Sequence, residues 1–272
     1  MTRRIEILPV AAESWRRGLQ AMGAVYPWLL LFALAGGIYA AGLYSDYGLW
    51  LPLAGAIASF AAGVELSRRI YAALGHGAAG AYMPLAHANL AVYVAFLFMG
   101  FFVGFFLLIL PGILIEAAGQ YAIDKDSPPE QVQEAFVAML GTAYGAAYLA
   151  VAAVGAAFLG WSALRLTVFG AATAARGEAM VFRTWRWTRG NVLALGVVSS
   201  FTHVMPFLAG LAANFALQAA LPDTLTGHFL AGMAGILLFA PFLLAGHGLA
   251  AAAFERLRPE ESAPIDEADG SS

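Results

Sequence analysis

The chain has 272 residues, of which 61% are hydrophobic and only 11% charged, with a mean hydropathy of +0.75. Soluble domains are about half apolar and a quarter charged, so a soluble globular protein is excluded and an integral membrane protein is implied. The net charge of −3 says little about partners because the signs are segregated along the chain, and the absence of cysteine excludes disulfides, thiolate metal sites and thiol nucleophiles.

Arg3, Arg4, Glu6, Glu13, Arg16 and Arg17 precede the first apolar run, a pattern unlike a cleavable signal peptide, so the N-terminus is expected to stay in the cytosol. From Pro9 to Met22, Ala12, Trp15, Leu19 and Met22 share one helical face, while Glu13, Arg16, Arg17 and Gln20 share the other. This predicts a surface helix over about 9–23 ahead of a first span at about 26–44. Ser45-Asp46-Tyr47-Gly48 reads as an outer turn. A second span then returns over about 50–74, through Glu65 and the pair Arg68 and Arg69. Glu65 lies three and four residues before those arginines, the spacing of a local ion pair.

Gly75 to Gly80 is a glycine-rich break, and Ala81–Asn89 reads as a second elbow without the charge. Leu90 to Leu110 carries no charged residue and is the strongest spanning signal, within a third span at about 90–118. Pro111-Gly112 is expected to kink or end it, with Glu116 beyond near the outer surface. Asp124 to Glu130 is an outer polar loop whose Ser127 and Glu130 form a capping-box pattern for the next helix. Span four is expected over about 133–165, with Gly141-x-x-x-Gly145 as a close-packing face.

Glu178 to Asn191 places Arg183, Arg186 and Arg189 three residues apart with Trp185 and Trp187 on the flanks, which predicts an interfacial helix over about 178–190. Spans five and six follow at about 192–218 and 228–254, and residues 259–272 read as a disordered acidic cytosolic tail. Thirteen of the fourteen basic residues then fall on one side and Lys125 alone on the other, which places both termini in the cytosol. The fold class is all-α: one membrane domain over 1–258, a six-span helical bundle with short interfacial helices. The pattern also admits three repeats of elbow plus hairpin, since Ser14-Trp15-Arg16-Arg17 parallels Thr184-Trp185-Arg186.

The segment Phe182-Arg183-Thr184-Trp185-Arg186-Trp187-Thr188-Arg189-Gly190-Asn191, with the six-helix plan, resembles the uncharacterised six-helix membrane proteins of the YciC-like kind and the membrane domain accompanying some glycerophosphoryl diester phosphodiesterases. The resemblance implies a helical domain in a bacterial inner membrane and little about activity, because the stand-alone members have no assigned one, and the phosphodiesterase activity is not expected to transfer to these 272 residues.

No His-Glu-x-x-His, phosphate loop, Gly-x-Ser-x-Gly or metal-ligand cluster occurs in the sequence, so no enzymatic activity and no cofactor is expected. Polar residues inside apolar spans each need a partner or water, which makes His203 and Asn214 of span five, His247 of span six, Glu65 and Glu116 candidates to line a cavity. Trp15, Arg16, Arg17, Arg68, Arg69, Arg183, Trp185, Arg186, Trp187 and Arg189 form the candidate membrane-interface set. The expected partners are membrane lipids, anionic headgroups among them, and no nucleic acid. The sequence thus points to a non-enzymatic, lipid-associated or assembly protein, with a small-molecule transporter built around His203 and Asn214, and broken helices at Pro111 and Pro206, as the alternative.

Overall fold

The computed structural model describes residues 4–46, 48–78, 80–119 and 127–259. Lys125, its neighbours Asp124 and Asp126 and most of the acidic tail lie outside these residues. The described chain is helical and contains no strand, with six helical segments long and apolar enough to cross a membrane. The protein is therefore a multi-pass membrane protein. It divides into two compact units, Met1–Asn89 with Leu164–Ser272, and Leu90–Ala163.

The first unit is organised along α1, Ile7–Leu43. The predicted surface helix and first span are thus one helix of 37 residues, roughly 55 Å long at 1.5 Å per residue. Neither Gly23 nor Pro27 interrupts it, because on its buried side the helix is held along its whole length. Helix α2, Trp50–Ala73, returns antiparallel along it. A Cβ on Gly55 would stand 2.6 Å from Tyr39 Cα, so the two backbones touch where the side chain is missing. Helices α9, Leu225–Leu238, and α10, Ala240–Leu257, run antiparallel along another face of α1. Gly36 and Gly37 meet Gly232, Met233 and Ile236; further along, a Cβ on Gly18 would lie 2.7 Å from Leu244 O, and one on Gly248 would overlap Ser14 O. The predicted sixth span is therefore two helices broken at Phe239, with Pro241 in the first turn of the second.

The predicted fifth span is likewise α7, Val192–Ser199, a π-helical turn, Ser200–Val204, and α8, Met205–Ala220. Buried side chains concentrate where α1 begins and α2 and α10 end: Val10, Tyr71, Leu85, Val168, Leu195, Leu249 and Phe254 belong to one core with α6, Phe169–Arg176. At the opposite end of this unit the Tyr44 ring stacks on His228 at 3.5 Å, joining the α1–α2 turn to the start of α9.

The second unit holds most of α3, Tyr82–Ala118, with α4, Pro129–Leu140, and α5, Ala143–Arg165. Ala81–Asn89 is no separate elbow: from Tyr82 onward it is the start of α3, and Pro111 lies inside that helix without ending it. The cap position of α4 falls on Pro128, one residue beyond the expected Ser127. The predicted fourth span is split at Gly141-Thr142, so Gly141 and Gly145 do not form a stripe for a neighbouring helix. A Cβ on Gly145 would overlap the Leu140 backbone, and the glycine is needed for the chain to turn tightly onto itself. The three predicted elbows therefore take three different forms: fused to a span at α1, absorbed into α3, and, at 183–186, a free-standing 3₁₀ helix.

Candidate functional site

Proline at position 206 has no N–H, so it cannot donate to the carbonyl behind it, and the helix answers with a π-helical turn over Ser200–Val204. There the hydrogen bonds reach back five residues: Met205 N–H donates to Ser200 O, and the next bond, to Phe201 O, is the one Pro206 cannot make. Trp15 takes that place, its indole Nε1 donating to Phe201 O at 3.3 Å. Ten residues earlier on both strands, Ile5 N donates to Asn191 Oδ1 at 2.9 Å. The equal offset means that α1 and the α7–α8 segment run parallel and in register, pinned at two levels.

Between and beyond these pins lies an open groove of about 830 Å³. Leu8, Ala12 and Trp15 line it from α1, Met205, Ala209 and Ala213 from α8, and its remaining lining residues are also apolar. No sequence signal named this groove; the small residues Ala209, Gly210 and Ala213 following Pro206 were the available one.

The candidate cavity residues do not converge on one water-accessible space. His247 is held through both ring nitrogens, Nδ1 at 2.7 Å from Leu243 O and Nε2 at 2.9 Å from Ser67 Oγ of α2, with the Tyr71 ring 5.1 Å away. His203, within the π-helical turn, pairs its Nδ1 with Thr202 Oγ1 at 3.0 Å, and its Nε2 occupies the space that a side chain on Gly246 would fill. These two histidines are neighbours. Asn214 instead faces α9 beside Gly235, and among the described residues its Oδ1 has no hydrogen-bond partner. Glu65 accepts from Arg68 at 2.6 and 2.7 Å and from Arg69 at 2.7 Å, the local pairing its spacing implies, while Glu116 is exposed near the end of α3. Arg69 also lies 4.6 Å over the Trp28 ring. Ser67 and Thr202 were missed because an isolated serine or threonine in an apolar helix has no pattern of its own.

A second cluster ties the start of α1 to the end of α10. Arg17 donates to both carboxylate oxygens of Glu255 at 2.5 and 2.7 Å and also reaches Glu13 at 2.5 Å, while Arg256 donates to Glu13 at 2.5 Å. Arg17 is thus a strut between helices as well as a surface cation. His76, in the turn after α2, is 10% exposed, with Nε2 3.0 Å from Glu255 Oε1 but off the line of a good hydrogen bond. Burial holds its pKa below the ordinary imidazole value, against the opposing pull of Glu255.

The arginine elbow is a 3₁₀ helix, Arg183–Arg186, continued by turns, rather than the α-helix its pattern implied. Its backbone repeats a three-residue bond, Trp185 N to Phe182 O, Trp187 N to Thr184 O and Arg189 N to Arg186 O. Three residues per turn bring positions i and i+3 into eclipse, so Arg183, Arg186 and Arg189 stand in one row. All three are exposed, whereas Thr184 and Thr188 turn inward and are fully buried. Thr188 Oγ1 reaches Arg165 O at 3.2 Å, which fastens the elbow to the end of α5. Gly190, at φ +83°, supplies the left-handed turn into α7.

No family model, curated protein or solved structure matches this chain. The site is therefore read from its own residues. The tryptophans of the elbow are not free interfacial anchors: Trp185 lies under the Arg165 guanidinium at 5.2 Å, and Trp187 lies under Arg176 at 5.5 Å and against Phe254 at 6.0 Å. Arg183 is paired with Glu178 at 2.8 Å. Arg16, Arg186 and Arg189 are exposed and make no ion pair among the described residues. With exposed Arg4, they are among the cations that this end of the first unit leaves available.

Proposed function

We propose that this protein is a non-enzymatic, lipid-associated component of a bacterial inner membrane, with both termini cytosolic and an envelope or assembly role. The observation that carries the reading is the row of exposed arginines on the 3₁₀ elbow, held outward by the buried Thr184 and Thr188 and, at Arg186 and Arg189, without acidic partners among the described residues. Each such cation near an anionic leaflet contributes about 1 kcal/mol, so the two unpaired ones favour anionic lipid by about 2 kcal/mol. We further propose a kinship with the YciC-like membrane proteins, on the Phe182 to Asn191 segment and the six-helix plan that carry the resemblance.

The test is the triple replacement Arg183→Gln, Arg186→Gln and Arg189→Gln, followed by quantifying the anionic lipid that co-purifies. A several-fold loss supports the reading, and unchanged lipid content removes it. The transporter alternative rests on His203 in a π-helical turn, a feature that recurs at functional sites. It requires solute flux in reconstituted vesicles that falls in His203→Ala; the double anchoring of His247 favours a structural role for the neighbouring pair.

A further inference from the structure

Three features of the groove beside Trp15 bear on what fills it. Its lining offers no hydrogen-bonding side chain, since the one indole N–H there is already spent on Phe201 O. Its volume of about 830 Å³ is within the roughly 300–1,000 Å³ of sites that hold small molecules. Its length follows from the parallel register: Leu8 lies opposite position 194, and from there to Ala213 is 19 residues, roughly 28 Å of helix at 1.5 Å per residue. One leaflet's hydrocarbon is only about 15 Å deep, half of a ~30 Å core.

The groove is also polarised. Its closed end, just before Leu8, is the Ile5–Asn191 bond, and that bond brings Arg4 and Arg189, both exposed, to the same end. Arg4 immediately precedes Ile5, and Arg189 precedes Asn191 by two residues. Glu6 is the one acidic residue beside them in sequence, so the balance there is cationic. The opposite end, at Ala213, Leu238 and the level of Pro27, carries no charge.

We propose that this groove holds a hydrocarbon chain of one anionic phospholipid, with the phosphate at Arg4 and Arg189 and the chain running past Trp15 toward Ala213. The site rests on the lipid-associated reading above and adds to it a defined, stoichiometric position. Arg4 and Arg189 set the preference for an anionic headgroup, and Ala12 and Ala209 keep the channel open by being small.

The experiment uses the full-length protein, delipidated in detergent and titrated with phosphatidylglycerol brominated along its acyl chains. Bromine quenches only tryptophan within contact range, so the difference between wild type and Trp15→Phe isolates the signal at the groove. The expected result is saturable quenching at one lipid per protein. Affinity should fall about tenfold in Arg4→Gln/Arg189→Gln, and brominated phosphatidylcholine should bind wild type about as weakly as that variant binds phosphatidylglycerol. Ala209→Phe, at an exposed lining position, should abolish the Trp15 signal, and native mass measurement of the same variant reports lipid retention independently should Trp15→Phe fold poorly.

Non-saturating quenching, equal affinity for the two headgroups, full binding by Ala209→Phe, or a second copy of the chain seated in the groove would each overturn the proposal. Normal bulk retention of anionic lipid with no Trp15 quenching would sink the groove and leave the elbow reading standing. Saturable, headgroup-selective Trp15 quenching in wild type, with unchanged bulk lipid in the arginine triple variant, would do the reverse.

Discussion

The two units solve the same problem, a chain almost without charge, in opposite ways. In the first, helices are drawn together by glycines at their crossings, and a third of the most apolar window of α1 is buried within the protein. In the second, only 6% of the corresponding window of α3 is buried, and Phe98, Phe101, Phe105 and Phe106 are exposed around it. Its internal core is small, formed by Ile115, Ala135 and Met139 with a few partly buried neighbours. Burial inside the protein therefore follows particular crossings, at Gly18, Gly36, Gly55 and Gly248 of the first unit, rather than hydropathy or small-residue content alone, since the alanine- and glycine-rich Ala143–Arg176 is also only 6% buried. In lipid, apolar surface gains nothing from leaving its surroundings, so only close fit and polar pairing hold helices together. The most hydrophobic span is accordingly among the least packed.

The sharpest way to break this comparison is to add a side chain where the first unit has none. Gly248→Val forces α10 off the Ser14 carbonyl and is expected to lower stability by about 3 kcal/mol, measured by reversible unfolding in micelles. Gly104→Ala in the second unit, where nothing lies within 4 Å, is expected to be neutral or to stabilise by up to about 1 kcal/mol. Equal effects would mean that the two units are packed alike.

Next in size is the strut at Arg17. Arg17→Gln leaves Glu13 and Glu255 without the cation between them and is expected to cost about 2 kcal/mol. Arg17→Lys restores the charge but not the two-pronged contact and recovers only part of that loss. Arg183→Gln, which breaks an exposed pair, should cost under about 0.5 kcal/mol.

The pH dependence is smaller and has a definite sign. Because burial holds the folded pKa of His76 below the ordinary imidazole value of about 6.5, the unfolded chain binds more protons between the two values. The contribution is complete above about pH 6.5 and is lost as pH falls through the folded value. Unfolding free energies taken down this range should decline in wild type and decline less in His76→Gln; identical slopes would show that His76 is not held neutral. Trp15→Phe, which removes the indole donor from Phe201 O, should cost about 1 kcal/mol, between the Arg17 and Arg183 replacements.

Much of this was readable in the sequence, and the limits have physical causes. Span two and the far end of span three were legible from hydropathy, while the start of span three, with no charge to mark it, was placed eight residues late; the Glu65 pairing followed from helical spacing alone. The fusion of the first elbow with its span was not, since Gly23 and Pro27 resemble a boundary until α10 and α2 are seen holding the helix on both sides. The arginines at 183, 186 and 189 were visible as a three-residue repeat, but an α-helix and a 3₁₀ helix share that repeat over so short a stretch. The groove was invisible because it depends on the register between α1 and α7–α8, fixed by two hydrogen bonds between residues 186 apart in sequence.

All of these assignments depend on the charged ends of the first unit lying on one side of the membrane and the remaining turns on the other. The chain has no cysteine, so single replacements can report side directly. In sealed inverted vesicles, Glu6→Cys, Glu178→Cys and Arg258→Cys should react with a membrane-impermeant maleimide, while Asp46→Cys, Ser127→Cys and Asp223→Cys should react only after the vesicles are opened. Labelling of Asp46→Cys or Asp223→Cys together with Glu178→Cys in sealed vesicles would contradict the threading and every site placed upon it.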